Sequence, residues 1–159
     1  MAACFFAAPV QAQGFRLGFV KTDRIFQEAN IAKTAAAKIE QEFSARDKDL
    51  VDQSALLKSM VDKFQIEAPT TSDAQRAAGQ KSLADQDREL QRKRRAFQED
   101  LAARKNEELQ RVLARADEVV KQIAAAEKYD LVLQEAVYVN PRIDLTKKVL
   151  DILNAQPVK

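Results

Sequence analysis

The residue types that most often carry out catalysis are scarce in this sequence of 159 residues. There is no His and a single Cys, Cys4, so the usual general base near neutral pH, the commonest metal ligand and any intramolecular disulfide are missing. Acidic pairs such as Asp85/Glu89 and Glu107/Glu108 do occur, but they lie in charge-rich stretches with no apolar pocket to change their acidity. Three glycines are too few for both a phosphate loop and the tight turns of an ordinary α/β enzyme. We therefore expect neither an enzyme nor a metal or cofactor site.

The composition instead points to long helices. Charged residues make up 31% of the chain and aromatic residues 6%, while 26 basic and 24 acidic side chains nearly cancel to a net charge of +2. Ala, Glu, Lys, Leu, Arg and Gln dominate, which is typical of long helices and coiled coils. The balance of charge argues against a nucleic-acid binder, which would carry a basic excess.

One basic cluster stands out. Its members, which on a helix would form a basic collar, are Arg88, Arg92, Lys93, Arg94 and Arg95. This collar is either a solvated face paired with Glu89, Glu99 and Asp100 or a surface that attracts acidic partners, an attraction that salt would screen over about 10 Å.

The N-terminus has the pattern of an export signal. The first 13 residues are apolar and uncharged and end in small residues at Val10-Gln11-Ala12, so we expect cleavage after Ala12. The positively charged start of such a signal is missing, which indicates that residues 1–12 are the remnant of a longer signal peptide. Two alternatives stay open: a disordered apolar N-terminus, or lipid attachment at Cys4. No other segment has the ~20 apolar residues that a membrane span needs, so we expect an exported protein whose mature chain has lost Cys4.

Two long helices separated by a proline are predicted in the middle of the chain. Residues from about Ile31 to Ile66 contain no Gly or Pro, and Pro69 then breaks the helix because it has no N–H. Ser72 and Gln75 form a capping-box pattern that begins a second helix, from Asp73 to about Lys128. Leu or Phe recurs every seven residues in both helices, which places these residues on one face: Phe43, Leu50, Leu57, Phe64, Leu83, Leu90 and Phe97. The pattern predicts an antiparallel hairpin with a thin apolar stripe.

Short strands are predicted near both ends of the chain, where apolar and β-branched residues alternate or cluster. The candidates are Phe15–Lys21, Leu131–Leu133 and Ala136–Val139. Thr22 or Asp23 can cap a brief helix after the first strand. Because three short strands are too few for a stable lone sheet, their unpaired edges favour an obligate oligomer.

These elements predict a mainly α protein with a small β portion, organised as a long antiparallel helical hairpin on a small β-containing body. The oligomerisation body is discontinuous, residues 15–35 plus 109–155, and the coiled-coil-like hairpin arm is residues 36–108. Apolar residues at helical spacing between Leu109 and Ile123 belong to the body. So does a last amphipathic helix that Asp144 can cap.

Several segments, in this order, carry a family resemblance: Leu17-Gly18-Phe19-Val20, Asp23-Arg24-Ile25-Phe26-Gln27, the Gly-poor hairpin, Arg104-Lys105-Asn106-Glu107-Glu108 and Tyr129-Asp130-Leu131-Val132-Leu133. No single motif is very specific, but the ordered set resembles the Skp/OmpH family of periplasmic chaperones over nearly all of the mature chain. The resemblance implies a jellyfish-shaped homotrimer, in which a β-rich body joins three helical arms around a cavity. It also implies an ATP-independent holdase in the periplasm for unfolded outer-membrane β-barrel proteins.

The resemblance gives roles to particular residues. The seven apolar hairpin residues are divided between the hairpin seam and a cavity wall that binds clients, and the sequence does not divide them further. Some family members are proposed to bind lipopolysaccharide, and so a membrane surface, through a Lys and an Arg pair; Lys93 and Arg104 match this pattern, while Ala103 stands at the other Arg position. The oligomerisation candidates are Leu17, Phe19, Leu131, Leu133, Val137 and Val139.

A second function stays open beside the chaperone. A periplasmic coiled-coil adaptor would dock one folded partner, with defined stoichiometry, through the hairpin tip at Pro69-Thr70-Thr71. A chaperone would instead capture many clients according to how unfolded they are.

Overall fold

Helices form most of the molecule, as the composition predicts. The computed structural model describes residues 14–155, so the predictions made for residues 1–12 lie outside the described residues. The predicted class, mainly α with two long helices and a small β portion, is confirmed. The elements in chain order are β1 (Leu17–Phe19), α1 (Thr22–Glu28), α2 (Asn30–Glu67), α3 (Asp73–Glu127), β2 (Leu131–Leu133) and α4 (Thr146–Ala155).

The connection between α2 and α3 follows the predicted turn chemistry. The residues after α2 form a short 3₁₀ turn, Ala68–Thr70, with proline at its start. Ser72 then caps α3 reciprocally with Gln75: the Gln75 N–H donates to Ser72 Oγ over 3.4 Å and the Ser72 N–H donates to Gln75 Oε1 over 3.2 Å. Arg76 secures the turn by donating from Nε to the Ala68 carbonyl over 3.2 Å.

The described chain divides into two compact units. The hairpin unit, Asn30–Leu113, contains α2 and the first part of α3. The end unit combines the described residues up to Ala29 with those from Ala114 onward, so it contains both strands, α1, α4 and the last part of α3. The 55 residues of α3 supply both units because this helix has no proline and one glycine.

The sheet of the end unit is a parallel pair made from opposite ends of the chain. The paired residues are Leu17 with Leu131, Gly18 with Val132 and Phe19 with Leu133. Backbone bonds continue past the strands, since the Val20 N–H donates to the Leu133 carbonyl over 2.9 Å and the Leu145 N–H donates to the Phe19 carbonyl over 2.7 Å. The approach of Leu145 explains Gly18: a β-carbon added there would lie 2.6 Å from Leu145 Cδ1.

A small apolar core holds the end unit together. The predicted helical spacing in the last part of α3 is confirmed, since Ala116, Val119 and Ile123 are buried. The same pattern is wrong at Leu109, which is exposed. From α4 and the residue before it come Leu145, Val149, Leu150 and Leu153, and from the N-terminal side come Val20, Ile25 and Ala29. As predicted, the Asp144 carboxylate caps this helix by accepting the Thr146 N–H over 2.8 Å.

The predicted strand at Ala136–Val139 is wrong for the described chain. These residues are irregular, and Val137 is fully exposed. A strand needs a neighbour to bond its N–H and C=O groups, and the sheet of the described residues contains β1 and β2 alone. The chain then turns at once, because Pro141–Ile143 forms a 3₁₀ turn in which the Asn140 side chain accepts the Arg142 N–H over 3.0 Å.

Two smaller predictions around β1 also need correction. The strand is shorter than residues 15–21, because its partner β2 offers only three residues for pairing. Helix α1 begins after Lys21 with no side-chain cap. Thr22 and Asp23 are already inside its first turn, so their oxygens are not at the capping position, although the Asp23 carboxylate there is favourable to the helix dipole.

Candidate functional site

The candidate functional surface is the hairpin unit, where α2 and α3 run antiparallel. The rings of Phe43 and Phe97 meet edge to face with centroids 5.7 Å apart and an angle of 73° between their planes. Polar pairs join the helices at the same register, since Arg46 contacts Asp100 over 2.9 Å. The hairpin is therefore fixed by one narrow line of contacts that alternates apolar and charged groups.

The seven apolar residues predicted from the heptad spacing lie along this line. Phe43, Leu50 and Leu90 are buried. The other four, Leu57, Phe64, Leu83 and Phe97, are half-buried. All seven therefore pack in the seam at least in part, and their contact with a client stays a prediction.

Arg46 takes part in the seam at the heptad position three residues after Phe43, where a polar residue replaces the usual apolar one. Its guanidinium carbon lies 5.7 Å from the centroid of Phe43 and equally far from that of Phe97. The cation thus covers both rings while it pairs with Asp100. A cation–π contact at such a half-exposed position contributes about 0.5–1 kcal/mol to stability. A polar residue three positions after an apolar one is the signal that could have shown this contact.

Near the turn, the ring of Phe64 packs against Gly79 on the facing helix. A β-carbon added to Gly79 on α3 would collide with the ring of Phe64 on α2. Glycine is unfavourable in a helix interior, but here its missing side chain makes room for Phe64. The helices can therefore approach closely at this level.

Sequence reasoning missed several apolar residues that α2 exposes to solvent. Val51 and Leu56 are each 61% exposed and Ile66 is 78% exposed. They fall outside the heptad, so no periodic signal picks them out; apolar residues among charged ones on α2 are the only cue. Such side chains are available to a partner without any change in the hairpin.

The basic collar is largely engaged within the hairpin unit. Arg88 pairs with Asp85, and Arg92 pairs with Glu89 over 2.6 Å. Two members cross to the other helix, since Lys93 Nζ donates to Gln53 Oε1 over 2.9 Å and Arg94 donates to the Ser54 hydroxyl over 2.8 Å. Asp100, expected beside the collar, pairs with Arg46 instead. Most of the collar thus acts as a paired, solvated face.

Arg104 is the centre of a carboxylate cluster. It pairs with Glu42 of α2 over 3.1 Å and, on its own helix, with Glu107 over 3.2 Å and Glu108 over 2.5 Å. The hydrogen bonds to Glu108 and Glu42 raise the pKa of Arg104 above its ordinary value. A guanidinium surrounded by carboxylates is a poor receptor for a phosphate, so this geometry favours a bridging role between the helices. Lipopolysaccharide binding by Lys93 and Arg104 stays a prediction.

The predicted oligomerisation residues are unequally placed in the end unit. Phe19 is buried, and Leu17 and Val139 are half-buried. Leu131, Leu133 and Val137 are exposed, as are two residues that the sequence did not single out, Phe15 and Tyr138. These exposed apolar groups border a two-stranded sheet, which is too small to be stable alone.

The described residues contain no cluster of three or more His, Cys, Asp or Glu side chains arranged to hold a metal ion. Over the same part of the chain, every helix is too short or too polar to cross a lipid bilayer.

Comparison with known proteins places these features in context. The family model described as Outer membrane protein (OmpH-like) matches residues 16–153. The chain is 29% identical to Chaperone protein Skp of Yersinia enterocolitica over 146 residues, covering 91% of this chain and 89% of that protein. It is equally identical, 29% with 91% and 88% covered, to Chaperone protein Skp of Pectobacterium atrosepticum. A solved structure described as an OmpH-like outer membrane chaperone, from Caulobacter crescentus, has the same fold with a TM-score of 0.77 at 17% identity, covering 98% of this chain and 94% of its own.

Proposed function

The chain belongs to the OmpH-like family of outer membrane proteins, and we propose that it is an ATP-independent holdase chaperone for unfolded outer-membrane β-barrel proteins. Its match over residues 16–153 shows the family, and its relatives named Chaperone protein Skp support the chaperone role. These chaperones are not an enzyme class, and holding a client needs neither a cofactor nor a nucleotide.

The proposal rests on the sparse packing of the hairpin unit. Two long helices are held by one narrow seam, while apolar side chains such as Val51 and Ile66 remain exposed among charged ones. Unfolded barrel strands expose alternating apolar residues that aggregate in water. Sparse apolar contacts spread along such helices bind these strands weakly one by one and strongly together, so that each contact stays reversible.

The seven seam residues contribute to client binding according to their exposure. Leu57, Phe64, Leu83 and Phe97 offer the uncovered part of their side chains to the client. Phe43, Leu50 and Leu90 are covered in the closed hairpin, so we assign them to keeping the helices together.

Assembly into a homotrimer completes the proposed architecture. The exposed apolar residues of the end unit, Leu131, Leu133, Val137 and Tyr138, are the surface that a second copy would cover. Backbone groups of residues 136–139 would then find strand partners in another chain. The arms of the assembled copies would enclose the client in a cavity.

The proposed workplace is the periplasm. Residues 1–12, the remnant of a cleaved signal peptide, would direct the chain to this compartment, which barrel proteins must cross unfolded. Clients would be captured by apolar and charged contacts, and nucleic acid is not among the proposed partners because the net charge is only +2.

An adaptor docking through the hairpin tip is the rival function, and the names of the relatives do not favour it. The two are separated by offering the purified protein one barrel protein in two states, unfolded by dilution from urea and folded in detergent micelles. A holdase retains the unfolded form alone on size-exclusion chromatography. Retention of the folded form, with or without the unfolded one, would contradict the proposal.

A further inference from the structure

One face of the hairpin unit carries a continuous groove between the two helices. A hollow of about 690 Å³ has Ile39, Phe43 and Leu101 among its apolar lining residues. A neighbouring hollow of about 480 Å³ includes Leu50 and Val51 in its lining. Both hollows are lined by Asp47 and Phe97, so they join into one depression.

The rim of this depression is unevenly charged. Four basic residues line it, Lys48, Lys58, Arg94 and Lys105, against two acidic ones, Glu40 and Asp47. Within the described residues, the three lysines make no ion pair with a carboxylate. We call this depression the lysine-rimmed groove.

We propose that the lysine-rimmed groove binds an extended, acidic segment of an unfolded polypeptide. Apolar side chains on one face of the segment lie on Val51 and on the uncovered parts of Phe97 and Leu101, and its carboxylates pair with the three lysines. This inference rests on the proposed holdase function and adds to it a place of contact and a preference for negative charge.

The dimensions of the groove favour a polypeptide. Its lining on α2 extends from Ala36 to Lys58, which is about 33 Å at the rise of an α-helix. An extended segment of about ten residues spans that length, with every second side chain facing the same side.

The placement of the cations supports the same occupant. Lys48 and Lys58 are about 15 Å apart along α2, and Lys105 is on the opposite helix. Cations distributed along both walls match carboxylates distributed along a strand, whereas a single phosphorylated headgroup would be bound by clustered cations.

Val51 and Leu56 provide a matched pair of variants. Both belong to α2 and have the same exposed fraction, 61%. Val51 lines the groove, whereas Leu56 lines a separate hollow of about 120 Å³ that has Glu89 and no lysine on its rim. Glutamate at either position adds the same charge to an exposed helical site.

The test measures fluorescence anisotropy of a labelled probe peptide of about twelve residues, in which apolar residues alternate with polar ones that include several glutamates. Val51→Glu is expected to weaken probe binding about tenfold, because an apolar contact is lost and a like charge is added, while Leu56→Glu changes it less than about twofold. A probe with lysines in place of the glutamates is expected to bind the parent protein about tenfold more weakly. Equal effects of the two variants, or equal binding of the two probes, would overturn the proposal.

Charge reversal tests the rim separately. The triple variant Lys48→Glu, Lys58→Glu and Lys105→Glu is expected to lose the preference for the acidic probe. The control is Lys38→Glu, Lys63→Glu and Lys81→Glu, which makes the same change in net charge with lysines that do not line the groove. Loss of the preference in both triple variants would show that net charge, not the groove, selects the probe, and would overturn the proposal.

Crosslinking keeps the test decisive if a variant loses its helical circular dichroism. A photoreactive side chain at position 51 should crosslink to the acidic probe, and one at position 56 should not; equal crosslinking contradicts the groove.

Specific binding of phosphatidylglycerol vesicles, lost in Val51→Glu while the peptide fails to bind, would assign the groove to lipid and also overturn the proposal. If the parent protein and Val51→Glu suppress barrel aggregation equally well, the groove proposal alone is contradicted. If the parent protein does not suppress aggregation, the proposed function is contradicted.

Discussion

The ring of Phe43 meets the ring of Phe97 edge to face, with centroids 5.7 Å apart, and this is the aromatic contact that joins the two long helices. Arg46 lies at the same distance from both rings and pairs with Asp100. One small cluster thus combines the apolar and the charged parts of the seam. A few such contacts hold the two long helices together, so the hairpin is sparsely packed.

Replacing Phe43 with alanine should destabilise the protein clearly. Phe43 is buried against Phe97, and removing a buried phenylalanine costs about 3 kcal/mol or more. The measurement is the urea midpoint of the helical circular dichroism at one fixed protein concentration. Val51→Ala on the same helix is the control and should change the free energy of unfolding by less than about 0.5 kcal/mol. If the two variants unfold at the same midpoint, the seam is not packed as described.

Replacing Gly79 with alanine should fail to stabilise α3. In an ordinary helix interior this change gains about 1 kcal/mol. Here the added β-carbon would collide with the half-buried ring of Phe64, which must move aside, so we expect little or none of this gain. In a Phe64→Ala background, the same substitution should raise the melting temperature, because the obstruction is gone. A stabilising effect of similar size in both backgrounds would contradict the contact.

Replacing Arg104 with glutamine should lower the melting temperature, because it leaves Glu42, Glu107 and Glu108 to repel one another. The loss should shrink in concentrated salt, which screens that repulsion. Since the pKa of Arg104 is raised, the contribution of its positive charge is complete at neutral pH and is lost only in strong alkali.

The control for this prediction is Arg88→Gln. Arg88 pairs with Asp85 on the exposed surface of the same helix, and within the described residues it forms no hydrogen bond or ion pair with α2, so its loss should hardly change the melting temperature. Equal losses for the two arginines would mean that Arg104 does not bridge the helices.

Replacing Val137 with glutamate should break the oligomer and leave the helices intact. Val137 is fully exposed in the single chain, next to exposed Tyr138, so the substitution costs nothing unless another copy covers it. Native mass spectrometry should find a trimer for the parent protein and a monomer for the variant, with equal helical circular dichroism. If the variant is still a trimer, residues 136–139 are not part of the interface. If the parent protein is a monomer, the proposed assembly is contradicted.

The sequence was most informative where structure is periodic. The heptad of Phe43, Leu50 and Leu90 predicted the buried stripe, and Pro69 with Ser72 and Gln75 predicted the turn between the helices. In both cases the interactions are local or repeat at a fixed spacing, so the chain itself displays them.

Other contacts depend on register and could not be predicted in this way. Glu42 and Arg104 are 62 residues apart, and only the alignment of α2 on α3 brings them together. The exposure of Val51 likewise follows from which face meets the seam. Residues 136–139 have the composition of a strand but do not form one, because a strand needs a partner that the described single chain does not provide.

Light scattering tests whether the protein is a holdase, when a urea-unfolded outer-membrane β-barrel protein is diluted into buffer with the purified protein and no nucleotide. A holdase should suppress the rise in scattering in proportion to the amount of protein added, and the client should remain unfolded by circular dichroism. The Phe43→Ala variant, tested in parallel, reports how far suppression depends on the intact seam. An undiminished rise in scattering at several-fold excess of the parent protein would contradict the account.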